Sequence, residues 1–127
     1  MAERPPVTVV IPVLNGASVV TAAIRSALDQ VYDGPLDVVV AVGPSSDGSE
    51  DVIGELAASD PRITMVANPS GNTSAALNAA VAASRGEVIV RCDAQARLPA
   101  GYAARAVELL EETGADNVGG VQEATGA

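Results

Sequence analysis

Residues 7–31 read VTVVIPVLNGASVVTAAIRSALDQV, and the fold is decided by the change of period within that run. Residues 7–13 are mostly β-branched, with no regular alternation of apolar and polar positions. Such a run predicts a strand buried on both faces, ending near Pro12. Past Asn15 and Gly16 the pattern switches. Val20, Ile24, Ala27, Leu28 and Val31 recur at helical spacing, which predicts an amphipathic helix with Ser18 or Asn15 as its cap.

The same alternation repeats along the chain. LDVVVAV (36–42) predicts a second buried strand after the DGP turn. GPSSDGS (43–49) is a loop ending on Ser49, a candidate N-cap, with Glu50 and Asp51 where negative charge suits a helix start. Val52, Ile53, Leu56 and Ala57 form the apolar face of that helix. RITMVA (62–67) predicts a third strand, and NPSGNT (68–73) a loop. SAALNAAVAASRG (74–86) predicts an Ala-rich helix stopped by Gly86. EVIVRC (87–92) predicts a fourth strand, buried like the others, and DAQARL (93–98) a loop. Pro99 suits the first turn of a helix to about Thr113, with Tyr102, Ala106, Leu109 and Leu110 inward. Gly114 ends it, DNVGGV (116–121) starts a fifth strand, and the tail QEATGA (122–127) is expected to fray.

Strict strand–helix alternation with short connections predicts the α/β class: a Rossmann-like parallel sheet with helices on both faces. At 127 residues, one domain spanning 1–127 is the expectation. If the first three strands run 3-2-1 and the fourth lies beyond the first, the order is 3-2-1-4. All strand C-termini then share one edge, and ligands bind where the order reverses, between strands one and four. Asn15 and Asp93 would face each other there. A buried fourth strand would leave Arg91 needing a partner. Asp93 or Asp47 would serve, as would a bound phosphate.

Composition narrows the function. Sixteen acidic residues against seven basic ones give a net charge of −9, and every basic residue is Arg. That balance argues against nucleic-acid backbones and anionic membranes as partners. Two Tyr, with no Phe and no Trp, leave little for base stacking. The absence of His removes His-based catalysis and His metal ligands. A phosphate-bearing ligand would need a local cation, a placed Arg or a helix N-terminus to offset the repulsion. The single Cys92, read as a small buried hydrophobe, and the short polar start predict a reducing, cytoplasmic setting. No apolar run approaches the roughly 18 residues of a membrane span. The sequence lacks a Gly-rich dinucleotide fingerprint, a P-loop and a GxSxG elbow.

Taken in order, VTVVIPVLNGASVVTAAIRSALDQ, VVVAVGPSSDGSEDVI and NPSGNTSAALNAAVAASRGEVIVRCDAQARLPAGY resemble the first half of family 2 glycosyltransferases of GT-A fold. The last segment looks most like the succinoglycan-biosynthesis branch, with its variant of the D-x-D motif. The resemblance implies transfer of a sugar from a nucleotide-diphosphate donor to a saccharide or lipid-linked acceptor. It implies that Pro12 and Asn15 line the nucleotide pocket, that Asp47 belongs to the D-G loop, and that Ser74 and Asn78 flank the donor. It places Asp93 and Gln95 at the first and last positions of D-x-D. The family's first position usually contacts the sugar-nucleotide and its last binds a Mg or Mn ion bridging the diphosphate, so that both are candidate metal ligands. Arg91 and Arg97 would approach the same group.

Three departures accompany the resemblance. Where the family ends its second strand with Asp, this chain has Val42 and Gly43, which leaves the base open. Gln95 offers a neutral oxygen in place of a carboxylate and weakens metal binding. The sequence stops before the half that supplies the acceptor pocket and its base, so no catalytic residue is assigned within it. A truncated sheet would favour self-association, and a longer protein would be expected at the cytoplasmic membrane face. Each residue also has an ordinary structural reading. Asp47 suits a turn, Asn15 a cap, Ser74 and Asn78 a solvent-facing helix side, and Arg97 a surface ion pair. A non-catalytic partner-binding or regulatory module is the alternative function, and a nucleotidyltransferase ranks below both.

Overall fold

The computed structural model describes residues 5–113 and 123–124. Four strands, β1 (Val7–Val13), β2 (Leu36–Val42), β3 (Ile63–Ala67) and β4 (Val88–Arg91), form one sheet in the order β3-β2-β1-β4. Every pairing in that sheet is parallel, with Val7 opposite both Leu36 and Val88, and Val38 opposite Ile63. The anticipated order 3-2-1-4 is therefore the observed one. Helices α1 (Val20–Leu28), α2 (Ser49–Ser59) and α3 (Thr73–Ala83) connect these strands, and α4 (Tyr102–Thr113) follows them.

The period of two along each strand divides the core. Val7, Val9, Ile11 and Val13 of β1, with Val38, Val40 and Val42 of β2, face α1, α2 and α4. Val20, Ala23, Ile24 and Ala27 of α1 and Ile53 of α2 meet them, all fully buried. On the opposite face Val10, Val39 and Ala41 pack on Ala76 and Ala80 of α3. Two alanines one helical turn apart let that helix lie close to the sheet. Thr8 is the buried polar exception on β1. Its hydroxyl donates to Asp37 at 2.5 Å and accepts from the Gly86 amide at 2.9 Å.

Several expectations change. Among the described residues β4 is an edge of the four-stranded sheet, and Ile89 and Arg91 are exposed there, which departs from a strand buried on both faces. Gly86 is not a left-handed helix cap, because α3 ends at Ala83 with Ser84 extended. Its glycine character answers a tertiary demand: a Cβ there would lie 2.5 Å from the Thr8 backbone nitrogen. Pro99 stands three residues ahead of α4, whose buried residues are Ala103 and Val107. Tyr102 and Ala106 only flank that stripe, and Leu109 and Leu110 are half-buried. Loop 93–98 contains a two-residue strand β5 (Ala96–Arg97), which pairs antiparallel with β6 (Glu123–Ala124). The tail expected to fray is thus engaged at those two residues. The fifth strand anticipated at 116–121 lies outside the described residues.

Candidate functional site

The parallel ladder runs past the strand ends and delivers the loops in register. The Gly43 amide donates to the Val13 carbonyl at 2.8 Å, the Asn68 amide to Val42 at 2.8 Å, and the Cys92 amide to Val10 at 3.0 Å. The loops after β1, β2, β3 and β4 therefore share one rim.

The first two loops are stapled together. Asn15 adopts a left-handed conformation, φ 50°, which Asn tolerates better than most side chains. Its amide donates to Ser45 Oγ at 2.9 Å, and its Oδ1 accepts from the Ser46 amide at 2.8 Å. The Gly16 amide donates to Ser49 Oγ at 3.0 Å, and the Ala17 amide to Asp47 Oδ2 at 3.1 Å. Asp47 Oδ1 in turn accepts from the Ser49 amide at 3.1 Å and the Ser49 hydroxyl at 2.5 Å. The Ser49 hydroxyl, then the Ala17 amide, hold the Asp47 carboxyl below the usual Asp range. Neither Ser18 nor Asn15 caps α1: Val19 stands at its N-cap without a side-chain hydrogen bond. Its approach is held across the rim by the second loop. Gly48, left-handed at φ 85°, takes the N-cap of α2, and Ser49 is its first, fully buried residue.

The third loop is organised by Asn68, 5% exposed. Its Nδ2 donates to the Asn72 carbonyl at 3.0 Å, and its Oδ1 accepts from the Ser70 hydroxyl at 3.1 Å. Asn72 caps α3 by accepting from the Ser74 amide at 2.8 Å.

Between the first, third and fourth loops opens a cleft of about 450 Å³, a size suited to a small-molecule ligand. Pro12, Val13 and Leu14 line one wall. Asn68, Gly71, Thr73 and Ala76 line a second. Arg91, Asp93, Ala94, Gln95 and Ala96 line the third. Leu14 is half exposed at the mouth. A Cβ on Gly43 would lie 3.0 Å from Leu14 Cδ1 and 3.3 Å from Gly71 Cα. Glycine at the end of β2 thus lets the first and third loops close together there.

The fourth loop carries the charge. Arg91 Nε and its terminal nitrogen reach Asp93 Oδ1 at 3.0 and 2.9 Å. The Asp93 carbonyl accepts from the Ala96 amide at 2.9 Å, closing a turn that contains Gln95. Cys92, between the charged pair, is fully buried. Burial, with the negative charge of Asp93, pushes its thiol up to about 12.

Of the residues singled out from sequence, Pro12, Arg91, Asp93 and Gln95 line the cleft. Asn15 and Asp47 lie in the loop staple and are not among the lining residues. Ser74 and Asn78 are exposed on α3, and Arg97 is exposed on β5, likewise outside the lining. Sequence reasoning missed Leu14, Asn68, Gly71 and Thr73. Asn68 carried a usable signal, since it follows β3 directly.

Asp93 and Gln95 offer one carboxylate and one amide oxygen to a cation. No group of three or more His, Cys, Asp or Glu able to hold a metal exists among the described residues. This donor set fits a hard cation that takes its remaining ligands from phosphate and water, the habit of Mg²⁺. Among the described residues no helix is long and apolar enough to cross a membrane.

Comparison with known proteins shows the family and the fold. Residues 8–127 match the model of Glycosyl transferase family 2. The succinoglycan biosynthesis protein ExoA of Rhizobium meliloti is 38% identical over 112 residues, which is 87% of this chain and 34% of that protein. The chondroitin synthase of Pasteurella multocida is 34% identical over 90 residues, 70% of this chain and 9% of that one. This chain therefore spans about a third or less of the length of these relatives. A mannosyltransferase from Pyrobaculum calidifontis, solved with GDP-Man and Mn²⁺, superposes with a TM-score of 0.74 at 33% identity. That match covers 84% of this chain and 32% of the other. S. aureus TarS, solved with UDP, shares the fold with a TM-score of 0.73 at 21% identity, over 87% of this chain and 33% of that one.

Proposed function

Since this chain belongs to glycosyl transferase family 2, we propose that its cleft binds the nucleotide-diphosphate sugar of a glycosyl transfer reaction. One observation carries the reading. Arg91, Asp93 and Gln95, from the end of β4, share a cleft with Pro12 at the end of β1, at the point where strand order reverses. Asp93 and Gln95 would hold a divalent cation there. When bound, that cation neutralises the leaving diphosphate. Arg91 supplies a planar fork of donors suited to phosphate oxygens. Pro12, Val13 and Leu14 form a largely apolar wall against which the nucleoside can lie. In the transfer, the bond from the anomeric carbon to the diphosphate oxygen breaks and an acceptor hydroxyl oxygen forms the new one. We assign no residue to take up the hydroxyl proton.

Relatives named for succinoglycan biosynthesis and chondroitin synthesis support a saccharide or lipid-linked acceptor. The free, buried Cys92 is compatible with a reducing, cytoplasmic compartment, and a protein as long as these relatives would sit at the cytoplasmic membrane face. Self-association through the β3 or β4 edge belongs to the same reading. Calorimetric titration of UDP and GDP sugars, with and without Mn²⁺, tests the function. Binding that is lost in Asp93→Ala supports it, and no heat with any donor contradicts it. One feature favours a non-catalytic module instead: Asp93 is the single carboxylate among the described lining residues. For that module, donor affinity would be unchanged in Asp93→Ala.

A further inference from the structure

The charges at the end of β4 neutralise each other before any ligand arrives. Arg91 is the last residue of β4, in register with Val10, and Asp93 follows two positions later. Cys92 between them is fixed into the core, its amide on the Val10 carbonyl at 3.0 Å. That anchor leaves both charged side chains at the cleft. Two guanidinium nitrogens converge on a single carboxylate oxygen, Asp93 Oδ1. The side chains are 50% and 55% exposed, so the contact can exchange with a competing ligand. Arg91, Asp93 and the neutral Gln95 together carry no net charge.

We infer that Arg91 masks Asp93: guanidinium and divalent cation compete for one carboxylate, and a diphosphate relieves the competition by drawing Arg91 onto its own oxygens. This rests on the nucleotide-diphosphate reading of the cleft. The planar fork of Arg suits phosphate oxygens as well as it suits a carboxylate, so the exchange conserves its hydrogen bonds. Once Arg91 has moved, Asp93 and the diphosphate both present negative oxygens to the cation. Cation and diphosphate therefore each raise the affinity for the other, by the same factor. Arg91 is in this account a positioning residue that sets the order in which the site fills.

The test uses the full 127-residue chain and Mn²⁺ alone, with free Mn²⁺ read by electron paramagnetic resonance. Arg91→Gln should bind Mn²⁺ tighter than the unsubstituted protein, on the order of 3- to 10-fold for removal of an exposed positive charge beside the ligand. The gain should vanish in the double variant with Asp93→Asn, which separates this carboxylate from the other acidic side chains. Adding UDP or GDP should raise the Mn²⁺ affinity of the unsubstituted protein more than that of Arg91→Gln. Equal Mn²⁺ affinities for the two proteins without nucleotide, or a gain that persists without Asp93, would overturn the inference. Failure of every nucleotide to bind would overturn the donor reading and the coupling, while the Mn²⁺-only comparison would still decide whether Arg91 masks Asp93.

Discussion

Replacing Ser49 with Ala tests how the rim is built. The Ser49 hydroxyl is fully buried and holds two loops at once: it accepts from the Gly16 amide at 3.0 Å and donates to Asp47 at 2.5 Å. Ser49→Ala strands a buried Gly16 N–H, which costs about 1–3 kcal/mol. For a chain of this size, a loss of about 2 kcal/mol lowers Tm by roughly 5–10 °C. Urea unfolding followed by circular dichroism measures it directly. Ser45→Ala is the matched control. Its hydroxyl accepts from the exposed Asn15 amide, where water can replace it, and the expected loss is within about 0.5 kcal/mol. Acidification adds a second signature. The Ser49 hydroxyl is the leading cause of the depressed Asp47 value. A depressed carboxylate stabilises the fold above its unfolded value and loses that contribution as pH falls through the folded value. The gap between the two proteins should therefore narrow once the pH drops below about 3.8, the ordinary Asp value. Neutral-pH stability of Ser49→Ala within about 0.5 kcal/mol of the parent would refute the staple.

Two glycines should respond in opposite directions. Gly86→Ala drives a methyl to 2.5 Å from the Thr8 nitrogen and should destabilise by about 1–3 kcal/mol in urea titrations. Gly54→Ala in α2 meets nothing within 4 Å and should stabilise by about 0.5–1 kcal/mol in the same assay. The Cys92 thiol, buried and pushed up to about 12, should resist a thiol reagent at pH 8 in the folded protein and react at once in urea. Rapid labelling without denaturant would contradict its placement.

The parts of the fold that were legible are those where local pattern and tertiary role coincide. β1 and β2 are rich in β-branched residues, and the sheet buries most of their positions on both faces. Val20, Ile24 and Ala27 at helical spacing are the buried stripe of α1. Strict alternation admits the order 3-2-1-4, and the sheet takes it. The illegible parts depend on what lies across the fold. A glycine after an Ala-rich helix reads as a cap, but Gly86 is required by the approach of β1. In α4 the larger residues suggested one stripe, while close packing selected Ala103 and Val107. At the rim, sequence could bring Asn15 and Asp47 to the correct edge. It could not reveal that their oxygens meet backbone amides of the facing loop. Sequence offered Asp93, Asp47 or a bound phosphate as the partner of Arg91, and the fold pairs it with Asp93.

The most direct test of the account is the position of the nucleotide on the sheet. Amide chemical-shift mapping with UDP and GDP, in the presence of Mg²⁺, reads it residue by residue. The account predicts shifts at Leu14, Gly71, Thr73, Ala94 and Gln95, around the cleft at the C-terminal ends of the strands. The amides of Val7, Leu36 and Val88, at the opposite ends, should stay still. Shifts gathered at those opposite ends, or no shifts with either nucleotide, would contradict it.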